Sequence, residues 1–408
     1  MALRAVAEVN LAAIERNVKL LQETVGPQTM LCAVVKADGY GHGAVPVART
    51  ALAAGARSLA VATAQEAGEL RRAGIDAPLL VLGAVSDQEL PVALAADAVL
   101  MVWDLGFVEK LRVAAVEAQS EIQVHVKLDS GLGRLGTRVP SQALAVADAV
   151  RAAAPALRLT GAMTHFATAD GDLDFAAQQL AEFTPFVEHL RSRPGGGELI
   201  IHAANSAATL RLPDARFDMV RAGIALYGGD PMNLDAAEHG LEPALALRSY
   251  VAALKPIAPG QSTGYGRHFI ADRETTIATL PIGYGDGIPT RALANNCDVL
   301  INGSRYPLRG MVSMDNITVD VGPQASVAVG DRATIIGVDG EQRQTAEELA
   351  ARIGTINYEV LCWISRRVPR FYHRDGAPVR AQTRSPHSGN SPPAPPGHGL
   401  SAAPCATS

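Results

Sequence analysis

The sequence predicts an α/β protein, an N-terminal (β/α)8 barrel of the TIM type followed by a mostly β second domain. Two observations carry this expectation. Between residues 31 and 227, short apolar runs alternate with alanine- and leucine-rich helical stretches; after residue 240, short runs are separated by glycine, proline and asparagine turns. Strands alternating with helices build parallel βα units, and eight such units close a barrel, an open doubly wound sheet being the alternative.

The eight runs are Leu31–Val35, Ser58–Ala62, Leu79–Leu82, Ala98–Val102, Ile122–Leu128, Leu157–Met163, Leu199–His202 and Met219–Tyr227. Seven helical stretches lie between them, the last one short, Ser206–Arg211. Ahead of them, Ala5–Val9 reads as a strand and leads into a helix capped by Asn10, with Ile14, Val18 and Leu21 on one face. In the second domain the expected strands are Leu245–Ile257, Thr275–Ile282, Asp298–Ile301, Ile317–Val321 and Ala333–Ile336, with one helix near Thr345–Ile353. The expected boundaries are 1–240 for the barrel, its strand 5–9 free to pair with the second domain, and 241–373 for the β-rich domain. Residues 374–408 are rich in proline, serine and glycine with almost no large apolar residues, so disorder is expected there.

Composition narrows the function. The chain has 408 residues, 48% hydrophobic and 19% charged, with a formal net charge of -5. That balance supplies ample core and no basic stripe for phosphates, which argues against nucleic acid as a partner. The four cysteines, Cys32, Cys297, Cys362 and Cys405, form no CxxC pair, so neither a metal site nor a disulfide framework is expected. Reduced thiols fit a cytoplasmic protein. The N-terminus lacks the apolar core and cleavage site of a signal peptide, and no uncharged apolar run reaches the ~18 residues of a membrane span.

The most informative stretch is AVVKADGYGHG, residues 33–43, where an apolar strand delivers Lys36 into a glycine-rich loop carrying Tyr40 and His42. A barrel gathers its site at the C-terminal ends of the strands. Lys36 ends the first barrel strand; Lys127, Asp129 and Arg134 end the fifth; His165 ends the sixth. His202, Asn205 and Ser206 follow the seventh, and Arg221 and Gly223 lie in the eighth. In EIQVHVKLD, Gln123, His125, Lys127 and Asp129 share one face, and a strand covered on both sides must pair that face inside a polar barrel interior. GLGRLG, residues 131–136, matches a dinucleotide-binding turn, yet Arg134 intrudes and no acidic residue follows about 20 positions on. Arg134 reads instead as a clasp for a carboxylate. Ser206 enters a short helix, and Gly223 lets a backbone N–H approach the same anion. A lysine for a Schiff base, a phosphate cradle and an arginine beside the ring suggest pyridoxal phosphate.

With these residues assembled, the chain resembles the alanine racemase family, pyridoxal-phosphate barrel enzymes. AVVKADGYGHG, KLDSGLGRLG, THFATAD, HAANSAA, VRAGIALYG, STGYGRHF, LPIGYGDGIP, GMVSMDN and TINYEVLCWISRRVPRFY follow the family's motifs in order, from about Arg4 to Tyr372. The resemblance implies an isomerase that interconverts L- and D-alanine, supplying D-alanine for peptidoglycan, as a homodimer with shared active sites. Lys36 would hold pyridoxal 5′-phosphate and act as one catalytic base; Tyr265, in the second domain, would be the opposite base on a cofactor held by the other subunit. Arg221 would face the pyridine nitrogen and His165 would pack on the ring, with Asn205 nearby. Tyr40, Ser206, Gly223, Ile224 and Tyr358 match phosphate-binding positions. Arg134 and the Met314 backbone would receive the substrate carboxylate, Lys127 matches a lysine carbamylated in many members, and Tyr284 matches the entrance. Ser130 and Leu132 replace the threonine and methionine of many members, and Thr290 stands where arginine is common. A racemase for serine or lysine, or a non-catalytic barrel that carries the same cofactor, would share the first domain; STGYGRHF, with the tyrosine base, discriminates against the carrier.

Overall fold

The computed structural model describes residues 3–379 apart from 195, 293 and 325, so the expectation for the tail falls largely outside the described residues. Eight parallel strands form the barrel: β2 (Met30–Val34), β3 (Ser58–Val61), β4 (Leu79–Val81), β5 (Val99–Val102), β6 (Ile122–Lys127), β7 (Leu157–Met163), β8 (Ile200–His202) and β9 (Met219–Ala222), preceded by β1 (Val6–Asn10). Each barrel strand pairs with the next in chain order as far as β8, and β2 pairs with β9. The β8–β9 seam has no ladder but is bridged by Arg221 N–H to Ala204 O at 2.9 Å and Asp218 N–H to Ile201 O at 3.1 Å. The barrel is therefore nearly closed.

Local sequence explains the alternation. The strands are valine-, leucine- and alanine-rich and mostly buried, as strands covered on both faces must be, with the exception of the start of β7, where Arg158 is exposed. Helix starts carry oxygen caps: Asn10, Asp104, Asp172 and Asn205 accept from N–H groups two or three residues on, and Thr63 forms a capping box with Glu66. The eighth barrel strand is shorter than the apolar run Met219–Tyr227 suggests. It stops at Ala222, and Ile224–Tyr227 turns as a 3-10 helix. The Ser206 hydroxyl accepts the N–H groups of Gly223 (2.9 Å) and Ala225 (3.4 Å), drawing the backbone out of the sheet.

Beyond the barrel lie β10 (Leu245–Tyr250), β11 (Ala253–Ile257), β12 (Ser262–Thr263), β13 (Phe269–Ile270), β14 (Thr275–Leu280), β15 (Asp298–Ile301), β16 (Ser304–Pro307), β17 (Ile317–Asp320), β18 (Arg332–Asp339), β19 (Gln342–Gln344), β20 (Arg370–Arg374) and β21 (Ala377–Pro378). The run Leu245–Ile257 is two strands, not one. At the break, Val251 N–H reaches Asp331 O and Ala252 N–H reaches Thr279 O, so the chain passes from one sheet to another. β1 lies between β10, antiparallel, and β20, parallel. The sheet continues through Arg374 and then Ala377–Pro378, past residue 373 where sequence reading began the disordered tail. Asp375 accounts for this, since it accepts from Asn10 at 2.9 Å and from Arg16 at 2.8 and 2.9 Å. A helix at Asn357–Trp363, legible beforehand only as part of a motif, packs under the barrel's Lys36 turn.

That packing fixes Gly41. Its φ is 80°, and a Cβ there would sit 2.4 Å from Leu361 O. A left-handed alanine and its clash together cost about 2–4 kcal/mol. Gly41→Ala is expected to lower the thermal midpoint by several degrees; an unchanged midpoint would show that the turn relaxes freely.

Candidate active site

A cavity of about 340 Å³ opens at the strand ends, lined by Lys36, Tyr40, Arg134, His165, Asn205, Ser206, Arg221, Gly223, Ile224 and Tyr358. Ten of the expected site residues thus meet in one place. Its volume lies within the roughly 300–1,000 Å³ of small-molecule and cofactor sites. Asp129 sets Arg134 at the rim: its carboxylate accepts Gly131 N–H (3.1 Å) and Gly133 N–H (2.9 Å), curling the loop around itself. This also disposes of the dinucleotide reading of GLGRLG, because the next helix starts only at Pro140.

Arg221 is the electrostatic centre. It is buried, its guanidinium donates to His202 Nδ1 (2.8 Å), His165 Nδ1 (2.9 Å), Thr164 O (3.0 Å) and Ala203 O (3.0 Å), and no carboxylate among the described residues pairs with it. Burial lowers its pKa to about 10, still charged at neutral pH. These bonds assign the imidazole protons. His202 accepts at Nδ1, so its Nε2–H donates to His125 Nδ1 at 2.7 Å, inside the barrel. His165 likewise accepts at Nδ1 and keeps its proton on Nε2. Burial and the Arg221 charge hold His165 and His202 well below the ordinary imidazole range and His125 at about 3. All three are neutral, and His202 supplies the partner that His125 of EIQVHVKLD needs inside the barrel.

Lys36 is shifted downward by burial and then by Arg134, with Glu66 opposing. Lys127, buried beside the cavity, falls to about 8 through burial, Arg221 and Arg134. Glu359 is the one acidic side chain lining the cavity among the described residues, against Lys36, Arg134 and Arg221. The site therefore holds an excess of positive charge at low polarity, suited to an anionic occupant. Gly223 supplies room for close approach, since a Cβ there would lie 2.4 Å from Tyr40 Oη. The turn carrying Tyr40 is itself unusual. Ala37, Asp38 and Tyr40 have φ of 52°, 53° and 51°, each costing on the order of 1–2 kcal/mol for a residue with a Cβ.

Three expected residues are not brought to this cavity by their own chain. Tyr265 is 73% exposed, Tyr284 45% and Met314 52%, all on the second domain. They share one surface: Tyr284 N–H donates to Ser313 O (3.0 Å), Gly285 N–H to Met314 O (2.9 Å), and Gly264 packs against the Met311 backbone. Asp286 fixes this loop by accepting Arg367 (2.7 Å), Gly283 N–H (2.9 Å) and Arg4. Sequence reading missed Cys362 and Glu359 in the cavity wall. The spacing of Tyr358 and Cys362, one helical turn apart, was the available signal.

The matches to known proteins agree with this geometry. Residues 9–231 match the alanine racemase N-terminal domain and residues 244–372 the alanine racemase C-terminal domain. An alanine racemase of Desulforamulus reducens is 42% identical over 368 residues, covering 90% of this chain and 98% of its own. One from Thermobifida fusca is 41% identical, covering 90% and 98%. The structure of the Bacillus anthracis alanine racemase with bound L-Ala-P superimposes with a TM-score of 0.85 at 38% identity, covering 93% of this chain and 97% of that one.

Lys127 gives a test of the electrostatics. The unfolded lysine titrates at about 10.4 and the folded one at about 8, so between those values the unfolded chain binds more protons and stability rises with pH. In cofactor-free protein and carbon-dioxide-free buffer, Lys127→Met is expected to stabilise more at pH 7 than at pH 9.5, measured by urea midpoints. A pH-independent difference would contradict the shift. With both domain models matched and relatives near 40% identity along nearly the whole chain, the chain belongs to the alanine racemase family.

Proposed function

We propose that this protein racemises alanine with pyridoxal 5′-phosphate, in a homodimer whose subunits complete each other's sites. The observation that carries the proposal is the excess of positive charge in the cavity, where Lys36, Arg134 and Arg221 face one carboxylate, Glu359. A phosphate ester and an amino-acid carboxylate are the anions that such a cavity accommodates. The residues present fit the cofactor: Tyr40, Ser206, Gly223, Ile224 and Tyr358 would hold its phosphate, His165 its ring face, and Asn205 the start of the helix beside it. When bound, pyridoxal phosphate supplies an electron sink that acidifies the Cα–H of an amino acid attached to it.

Each residue then has a distinct task. Lys36 Nζ would anchor the cofactor and, once displaced by substrate, hold or return the proton on one face of Cα. One rigid base cannot reach both faces, so the opposite face needs a second group. Tyr265 of a second copy of this chain would provide it, which accounts for an exposed tyrosine, with Tyr284 and Met314, on an uncovered surface. Arg221 keeps its protons near neutrality and would offer the pyridine nitrogen a hydrogen bond without protonating it. Arg134 and the Met314 backbone would orient the substrate carboxylate. Lys127, with its pKa near 8, has enough neutral amine to take up carbon dioxide, and the resulting carbamate would steady Arg134. No helix among the described residues is long and apolar enough to cross a membrane, and the reading places D-alanine production for peptidoglycan in the cytoplasm.

A racemisation assay across L-amino acids, with and without pyridoxal phosphate, tests the activity. Alanine is expected to turn over fastest, only with cofactor; a preference for serine or lysine would reassign the substrate. Lys36→Ala is expected to abolish the visible absorption of bound cofactor and activity. Tyr265→Phe should retain the absorption and slow the two directions of proton exchange unequally. Mixing the two variants should raise activity above that of either alone through the hybrid's one intact site. No recovery in confirmed hybrids would contradict shared sites.

A further inference from the structure

The turn after β2 is left-handed through four successive residues, Ala37, Asp38, Gly39 and Tyr40, and it begins immediately after Lys36. Its conformation is intrinsically disfavoured at the three residues that carry a Cβ. Ties within the segment hold its middle and end: Gly39 N–H to Val35 O at 2.9 Å, Gly43 N–H to Asp38 O at 2.8 Å, and Ala44 N–H to Asp38 Oδ1 at 2.9 Å. Its first residue accepts Gly41 N–H at 3.0 Å through its carbonyl, while its own N–H is held from outside the segment. Ala37 N–H donates to Glu66 Oε1 at 2.7 Å.

Glu66 has a second attachment. Its Oε2 accepts Ala62 N–H (2.8 Å) and Thr63 N–H (3.2 Å), while Thr63 Oγ1 accepts Glu66 N–H (3.2 Å). Helix capping accounts for Oε2 and for Thr63. It does not account for Oε1, which reaches out of its own βα unit to the residue beside Lys36. Glu66 does not line the cavity, so it acts through the backbone.

We propose that Glu66 is a positioning residue for Lys36, locking the left-handed turn after β2 to the end of β3 and so fixing the direction from which the lysine amine enters the cavity. The proposal rests on the reading of Lys36 as the cofactor-binding amine. The charged and titratable groups bearing on that amine are Arg134, Glu66, Cys362 and Arg221, with Lys127 and His165 also feeling its charge, and among them Glu66 and Cys362 favour its protonated form.

The test uses full-length protein stripped of cofactor, mixed with pyridoxal phosphate, and follows covalent attachment at Lys36 by visible absorbance from pH 6 to 10. In Glu66→Gln the limiting rate at high pH is expected to fall tenfold or more. The pH midpoint of attachment should also move down, because a negative charge near the amine is gone. Thr63→Ala, which removes the capping hydroxyl and keeps the Ala37 tie, should stay within twofold of wild type with its midpoint in place. Adding Ala37→Gly to Glu66→Gln should recover threefold or more of the rate, since glycine holds a φ near 52° without the tie. Glu66→Asp, one methylene shorter, serves if Glu66→Gln does not fold, and should slow the limiting rate with the charge retained. A limiting rate within twofold of wild type in the glutamine variant, or equal slowing by Thr63→Ala, overturns the proposal. If wild-type protein itself attaches no cofactor, the reading of Lys36 fails instead, and the proposal with it.

Discussion

The burial of Arg221 without a carboxylate is the constraint on which the rest of the site depends. A guanidinium in that position can be satisfied only by acceptors, and it takes two imidazoles and two carbonyls. Because it only donates, the histidines must accept, and the acceptance passes along from His202 to His125. The imidazoles inside the barrel thus form a chain of neutral polar groups organised by the Arg221 cation. Breaking one partner of such a network strands the others in a medium of low polarity, which is the costly way to lose a hydrogen bond.

The same constraint shapes what the cavity accepts. Arg221, Arg134 and Lys36 face it with one lining carboxylate, Glu359. Neighbouring cations and burial both act to lower lysine pKa values, so Lys36 and Lys127 are more easily deprotonated than surface lysines. One electrostatic arrangement therefore serves anion binding and amine reactivity together. The left-handed turn adds geometry to it. Arg370 donates to Gly41 O at 2.9 Å, and Leu361 closes on Gly41 from below. Elements near the end of the chain thus hold the segment that presents Lys36, while another surface of the second domain carries Tyr265 and Tyr284 outward.

Much of this was legible in the sequence because barrel strands and their rim residues follow one another in order. Lys36, Arg134, His165, Ser206, Arg221 and Gly223 stand at successive strand ends, and the structure gathers them in one cavity. The pattern of EIQVHVKLD revealed a polar interior through alternation alone, although the partner of His125 is 77 residues away and no local signal names it. Other features depended on contacts that periodicity does not encode. The apolar run at Met219–Tyr227 hid a turn drawn out by Ser206. The run Leu245–Ile257 hid a change of sheet at Val251–Ala252. Glu66 read as an ordinary capping glutamate, and only its second oxygen, bound to Ala37, marks it as more. Tyr265, Tyr284 and Met314 lie exposed on the second domain, and no pattern within one chain sets them against the cavity.

The charge of the cavity is open to one direct measurement. Cofactor-free protein can be melted in the presence of pyridoxal 5′-phosphate and, in parallel, of pyridoxal, which carries the same aldehyde and ring without the phosphate. Both can engage Lys36, so a difference between them isolates the anion. Pyridoxal phosphate is expected to raise the melting temperature well beyond pyridoxal at equal concentration, with alanine racemisation appearing over the same concentration range. Equal shifts by the two compounds would contradict an anion-seeking cavity built around Arg221.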